Sequence, residues 1–129
     1  MYMLIYIAAG GALGAILRYL VSSHVYRSFD GHLPWGTLAV NLLGCFVIGI
    51  LWNVFENIAH SPNTRALIFI GILGAFTTFS TFGLESFNLF KMGEIKLGII
   101  NILISNIGGI ALVFIGYYAT KVIFELTGR

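Results

Sequence analysis

Residues 71–82 read GILGAFTTFSTF, and the fold turns on how that stretch is understood. It lies inside an uncharged apolar segment, residues 66–84, which is long enough to cross a bilayer. Yet Gly74, the paired Thr77 and Thr78, Ser80 and Thr81 are all weak helix formers, so the pattern predicts a helix broken at membrane depth. Backbone groups freed by a break in hydrocarbon cost several kcal/mol each, roughly, unless protein, water or an ion satisfies them. Such backbone is tolerated where it lines a cavity or binds an ion. The plainer alternative is an intact helix whose hydroxyls bond back to carbonyls four residues earlier. Four hydroxyls within the five residues 77–81, with Phe79 among them and Phe82 following, favour the break.

Composition sets the solvent. Only 9% of the 129 residues are charged and 58% are hydrophobic, with a mean hydropathy of +0.94. Soluble domains carry about 25% charged residues, so the chain reads as an all-α integral membrane protein. A single membrane domain, 1–129, is expected, with no room for a soluble one. The lone Cys45 lies in an apolar run and reads as an inert buried thiol. A net charge of +2, scattered along the chain, is too small for a nucleic-acid surface. The N-terminus has no basic region and its apolar run continues, so it reads as a first membrane helix, not a cleaved signal.

Four spans are expected, at about residues 3–25, 34–55, 65–90 and 97–120. In the first, Gly10 with Gly14, and Gly11 with Ala15, form small-xxx-small pairs that let helix backbones approach closely. Arg18 falls inside this span, where a guanidinium costs about 2.5 kcal/mol or more. It is either a functional cation or a side chain snorkelling to the interface beside His24 and Arg27. In the second span Trp35 and Trp52 mark the interfaces, while Thr37, Asn41, Gly44 and Ile48 share one face. Asn41 is either interhelical glue or a pore-lining donor. Glu85 follows the break by about one turn, with no charge partner near it in sequence. The fourth span carries Asn101, Ser105 and Gly108 on one face, with Asn106 beside them, so that stripe faces protein or water.

Basic residues do not choose an orientation. Arg65, Lys121 and Arg129 fall on one side of a four-span topology, and Arg27, Lys91 and Lys96 on the other. Three against three implies insertion both ways round, which permits an antiparallel dual-topology homodimer.

GGALGAILRY at residues 10–19, GTLAVN at 36–41, and GAFTTFSTF at 74–82 followed by Glu85 resemble the CrcB/Fluc fluoride channels. The resemblance covers all four spans. It implies an antiparallel dimer with two pores in the cell inner (plasma) membrane, a structural sodium ion at the dimer centre, and passive export of fluoride from the cytoplasm. Position by position, it implies that the carbonyls of Gly74 and Thr77 hold the sodium and that Phe79 and Phe82 face the permeating anions. Asn41, Ser80 and Thr81 become donors along the path, with Ser105 more loosely matched, and Arg18 becomes a vestibule cation. Glu85 fits the acidic position after the motif. Ala75 stands where family members commonly carry a second glycine.

The physics is compatible with this picture. Fluoride is small and strongly hydrated, so amide and hydroxyl donors must replace its shell, and phenylalanine edges attract an anion. Composition and spacing do not choose fluoride over chloride; the resemblance does. The competing class is a dual-topology small-molecule or proton-coupled exporter. It requires an intramembrane carboxylate, and the first span offers Arg18 instead. No nucleophile–base pair, metal-ligand cluster or phosphate loop suggests an enzyme.

The charge balance generates a test. Two lysines added to the first loop should bias insertion to one orientation, and a partner biased the other way should restore function on coexpression. Topology reporters on the unmodified chain that show one orientation only would sink the antiparallel dimer.

Overall fold

Each apolar run becomes helix, because a chain in lipid must satisfy its backbone hydrogen bonds internally. The computed structural model describes residues 2–128. Helix α1 is Tyr2–Ser28 and α2 is Trp35–Asn57. The third apolar stretch, Pro62–Lys91, contains two helices, α3 over residues 62–76 and α4, Phe79–Lys91. Helix α5 is Ile95–Leu126. The four stretches are 27, 23, 30 and 32 residues long, all above the roughly 20 that a bilayer requires. The chain is therefore a multi-pass membrane protein, and its helices overrun the expected spans at nearly every end. Arg129, counted in the charge balance above, lies outside the described residues.

Local chemistry sets the helix boundaries. Gly31, at φ 120°, turns the chain between α1 and α2. Ser61 caps α3, its Oγ accepting from the Thr64 N–H at 3.1 Å, and Pro62 occupies the first turn where its missing N–H is harmless. Two stretches widen to π-helical i→i+5 bonding, Ala66–Leu73 in α3 and Ile104–Gly108 in α5.

The α-helix of Gly74–Phe76 ends at Thr77, whose backbone is extended at φ −87°, ψ 159°. Thr78 is extended too, at φ −148°, ψ 115°, and α4 begins at Phe79. The glycine is not where the backbone departs from helix. Gly74 has helical dihedrals of −62° and −35°, so the extended residues are the two β-branched threonines, which suit that conformation.

Helix packing rests on glycine. The two most extensive helix contacts are α1 with α3 and α2 with the second half of α5. A Cβ on Gly10 would lie 2.4 Å from the Leu67 carbonyl oxygen, and one on Gly14 2.2 Å from that of Ile72. Gly49 and Gly116 make equally close approaches between α2 and α5, to the carbonyl oxygens of Val113 and Phe46. Gly11, which repeats the motif in sequence, has no other helix within 4 Å of its would-be Cβ among the described residues. The central helix is α2: a third of its most apolar window is buried, against 11% for α1.

This packing predicts a sharp contrast between neighbouring glycines. Gly14→Ala drives a methyl into backbone that cannot yield like a flexible side chain, and should cost about 1–3 kcal/mol. Gly11→Ala should leave thermal stability in detergent unchanged. Equal melting temperatures for the two variants would show that the α1–α3 contact is not set by backbone approach.

Candidate functional site

A cleft of about 320 Å³ runs beside the interruption between α3 and α4. Helix α2 lines it with Asn41, Gly44, Cys45 and Ile48, α3 with Phe69, Leu73 and Gly74. The extended Thr77 and Thr78, then Phe79 and Phe82 of α4, form the middle, and Ser105 and Asn106 of α5 close the far wall. None of these residues is acidic or basic apart from the weakly acidic thiol of Cys45.

Asn41 organises the cleft. Its Oδ1 accepts from the Thr78 N–H at 2.8 Å, and its Nδ2 donates to the Thr78 carbonyl at 3.0 Å. The side-chain amide thus pairs with the extended residue as a neighbouring strand would. This satisfies both backbone groups of Thr78, and one N–H of Asn41 remains available. Asn41 reaches Thr78 because Gly44, one turn along α2, lies against the Thr77 methyl; a Cβ there would come within 2.2 Å of it.

The hydroxyls of the motif divide their work. Thr77 Oγ1 bonds back to the Leu73 carbonyl at 3.0 Å. Thr78 Oγ1 accepts from the Thr81 N–H at 3.4 Å and donates to Thr81 Oγ1 at 2.9 Å, capping α4.

What stays unpaired gives the site its electrostatics. The Thr78 N–H goes to Asn41 and the Thr77 N–H to Leu73, so the Gly74 carbonyl receives no helical N–H from either. Across the interruption, Phe79 and Ser80 supply the first free N–H groups of α4. The negative end of α3 and the positive end of α4 therefore meet at the cleft. The Ser105 hydroxyl on the far wall is buried without a hydrogen-bond partner among the described residues.

Phe79 and Phe82 lie with ring centroids 5.5 Å apart, tilted by 49°. Phe82 is buried, whereas Phe79 is 81% exposed and projects from the chain.

The remaining sequence candidates lie elsewhere. Ser80 and Thr81 are exposed on the first turn of α4 and do not line the cleft. Arg18 is half-buried on α1, also outside the cleft, and forms no ion pair among the described residues. Glu85 is one turn past Phe82, and its partners are hydroxyls, not a cation. Tyr26 and Thr37 each donate to Oε1 at 2.8 Å, while Oε2 is buried and has no hydrogen-bond partner among the described residues. Asn101 faces α4 instead of the cleft, donating to Ser86 Oγ at 3.0 Å. Sequence reasoning missed Tyr26, Phe69 and the clasp on Thr78. Thr37 shares a helical face with Asn41, which was the available hint for the Glu85 cluster. Nothing in sequence marks Thr78 as Asn41's partner.

Residues 5–117 match the family described as CrcB-like protein, Camphor Resistance (CrcB). The chain belongs to the CrcB family. Among its relatives, a protein of Parabacteroides distasonis is 44% identical over 117 residues, covering 91% of each chain. One from Salinibacter ruber is 46% identical over 116 residues, covering 90% of this chain and 87% of its own. A third, from Magnetococcus marinus, is 41% identical over 119 residues, covering 92% and 97%. All three are named fluoride-specific ion channel FluC. CrcB membership places the chain among ion channels and not among enzymes.

The Asn41 clasp is testable in this CrcB protein without any assay of transport. Asn41→Leu strands the Thr78 N–H and carbonyl in an apolar setting and should destabilise the fold by about 1–3 kcal/mol. Asn41→Asp keeps the acceptor but sets a carboxylate oxygen against the Thr78 carbonyl, so it should not rescue. Hydrogen exchange at the Thr78 amide should accelerate in Asn41→Leu, where its acceptor is gone. An exchange rate unchanged from the parent would remove Asn41 as the group holding the interruption.

Proposed function

We propose that this protein is a passive fluoride channel, working as an antiparallel dual-topology homodimer in the cell inner (plasma) membrane and exporting fluoride from the cytoplasm. The observation that carries this reading is the cleft, whose wall offers neutral donors and aromatic edges but no carboxylate. An anion can exchange its water for the spare Asn41 N–H and the unpartnered Ser105 hydroxyl. Neutral donors hold an anion less tightly than a full positive charge would, which favours release. Phe79 and Phe82 supply ring edges with partial positive charge. The names of the relatives favour fluoride over other anions.

The dimer completes the path. Four spans enclose little on their own, and Phe79 stands 81% exposed beside an open cleft. A second copy, inverted in the membrane, would bring its own Phe79 toward the first copy's cleft and close the missing wall. The even split of basic residues permits both insertions. Ser80, Thr81 and Arg18 then belong to the approaches to the pore, with Glu85 held by Tyr26 and Thr37 at the far end of the path.

A sodium ion fits the interruption. The donors there are carbonyl oxygens, the ligand class that a hard monovalent cation prefers, and the Gly74 carbonyl is relieved of its helical partner. Gly74 and Thr77 of each copy would hold the ion, which would neutralise the carbonyl end of α3 and add positive charge beside the anion path. No His, Cys, Asp or Glu cluster is required for such a site.

With no carboxylate on the cleft wall, fluoride should leave proteoliposomes down its own gradient when potassium and valinomycin clamp the voltage. Flux should be independent of an imposed pH difference. Release that demands a proton gradient at fixed voltage would replace the channel with a fluoride–proton antiporter, Glu85 being the group to examine.

A further inference from the structure

Between α2 and α5, toward the Trp52 end of α2, lies a second groove of about 270 Å³. Gly49 and Trp52 of α2 line it with Val113, Phe114, Tyr117 and Tyr118 of α5, so its floor is almost wholly apolar. Three of these residues carry polar handles, and two of them reach the same carboxylate. Trp52 Nε1 donates to Glu56 Oε1 and the Tyr117 hydroxyl to Glu56 Oε2, each at 2.8 Å. A carboxylate accepts about four hydrogen bonds, so half of its capacity stays open.

The other face of this corner is cationic. The Arg65 guanidinium lies 5.4 Å from the centre of the Trp52 ring, and within 6 Å of the Phe55 and Phe69 rings. Neither Glu56 nor Arg65 forms an ion pair among the described residues, with each other or with any third group. Trp52 therefore separates an acid with spare acceptor sites from a base with spare donors, at the head of an apolar groove. Trp and Tyr at a helix end mark the depth of the lipid headgroups.

We propose that this groove binds one membrane phospholipid with a primary-amine zwitterionic head, of the phosphatidylethanolamine class. One acyl chain lies along the groove, the ammonium donates to Glu56, and the phosphate accepts from Arg65. Charge complementarity selects this occupant. An anionic head satisfies Arg65 and is repelled by Glu56, whereas a choline head has no N–H for the carboxylate. The inference is independent of what passes through the cleft.

Brominated lipids quench nearby tryptophan, and Trp35→Phe leaves Trp52 as the reporter, since the chain has two tryptophans. In liposomes of phosphatidylcholine, brominated phosphatidylethanolamine should reach half-maximal quenching at about one-tenth the mole fraction that brominated phosphatidylglycerol requires. Glu56→Gln combined with Arg65→Gln should erase that preference. Native mass spectrometry of the unsubstituted protein supplies a readout that needs no variant, with phosphatidylethanolamine retained over phosphatidylglycerol and phosphatidylcholine. Equal quenching and equal retention across headgroups overturn the proposal, as does a preference that survives the double substitution. Absence of quenching by every lipid overturns it too, and assigns the groove to a second copy of the chain.

Discussion

A polypeptide that leaves the helix inside an apolar sheath must find partners for the amides and carbonyls it exposes, and here one side chain supplies them. Asn41 grips Thr78 through both its amide nitrogen and its amide oxygen. Much else follows from that pairing. The Thr78 N–H, turned to Asn41, no longer serves the Gly74 carbonyl, which is left open. The free ends of two helices then face one cleft, and Gly44 is needed so that α2 can come close enough. A hydrophobic residue at position 41 would leave the extended pair without a reason to persist.

The same constraint explains why the cleft has its particular chemistry. Lipid forbids stray charge but tolerates buried dipoles, so polarity is delivered by Asn41, by hydroxyls and by helix ends. Charged groups are pushed outward or paired with hydroxyls, as Glu85 is with Tyr26 and Thr37. Ser86 and Asn101 do parallel work where α4 meets α5, with Ser86 Oγ donating to the Phe82 carbonyl and accepting from Asn101. These bonds fix the direction in which α4 leaves the interruption.

Much of this was legible in the sequence, and the limits have physical causes. Long uncharged runs announce membrane helices because solvent dictates composition, so four spans were readable, though their ends were not. Gly10 and Gly14 announced a close contact without naming α3 as the partner. The weak helix formers of residues 74–81 announced a break without locating it, for Gly74 keeps helical dihedrals and the extended residues are Thr77 and Thr78, whose branched side chains favour extension. Asn41 was conspicuous as an amide in hydrocarbon, but its partner lies 37 residues away and is backbone, which has no sequence signature. Ser80 and Thr81 share the polar character of their neighbours and differ only in which way a helical turn points them. The π-helical segment of α5 adds a further rotation that a 3.6-residue pattern does not encode, and Ser105 and Asn106 both reach the cleft across it.

Four of the glycine contacts join the helices into two braced pairs. Backbone touches backbone at Gly10 and Gly14 between α1 and α3, and at Gly49 and Gly116 between α2 and α5. Such contacts contain no side chain that could change rotamer, so each pair is braced like a plank. The cleft lies across the seam between the planks, with Leu73 and Gly74 on one and Cys45 and Ser105 on the other. Across that seam the planks are tied by the Asn41 amide on Thr78 and by Gly36 of α2 set against Tyr26 and the Ser22 carbonyl of α1. Any change in the width of the cleft therefore loads the Asn41 clasp directly.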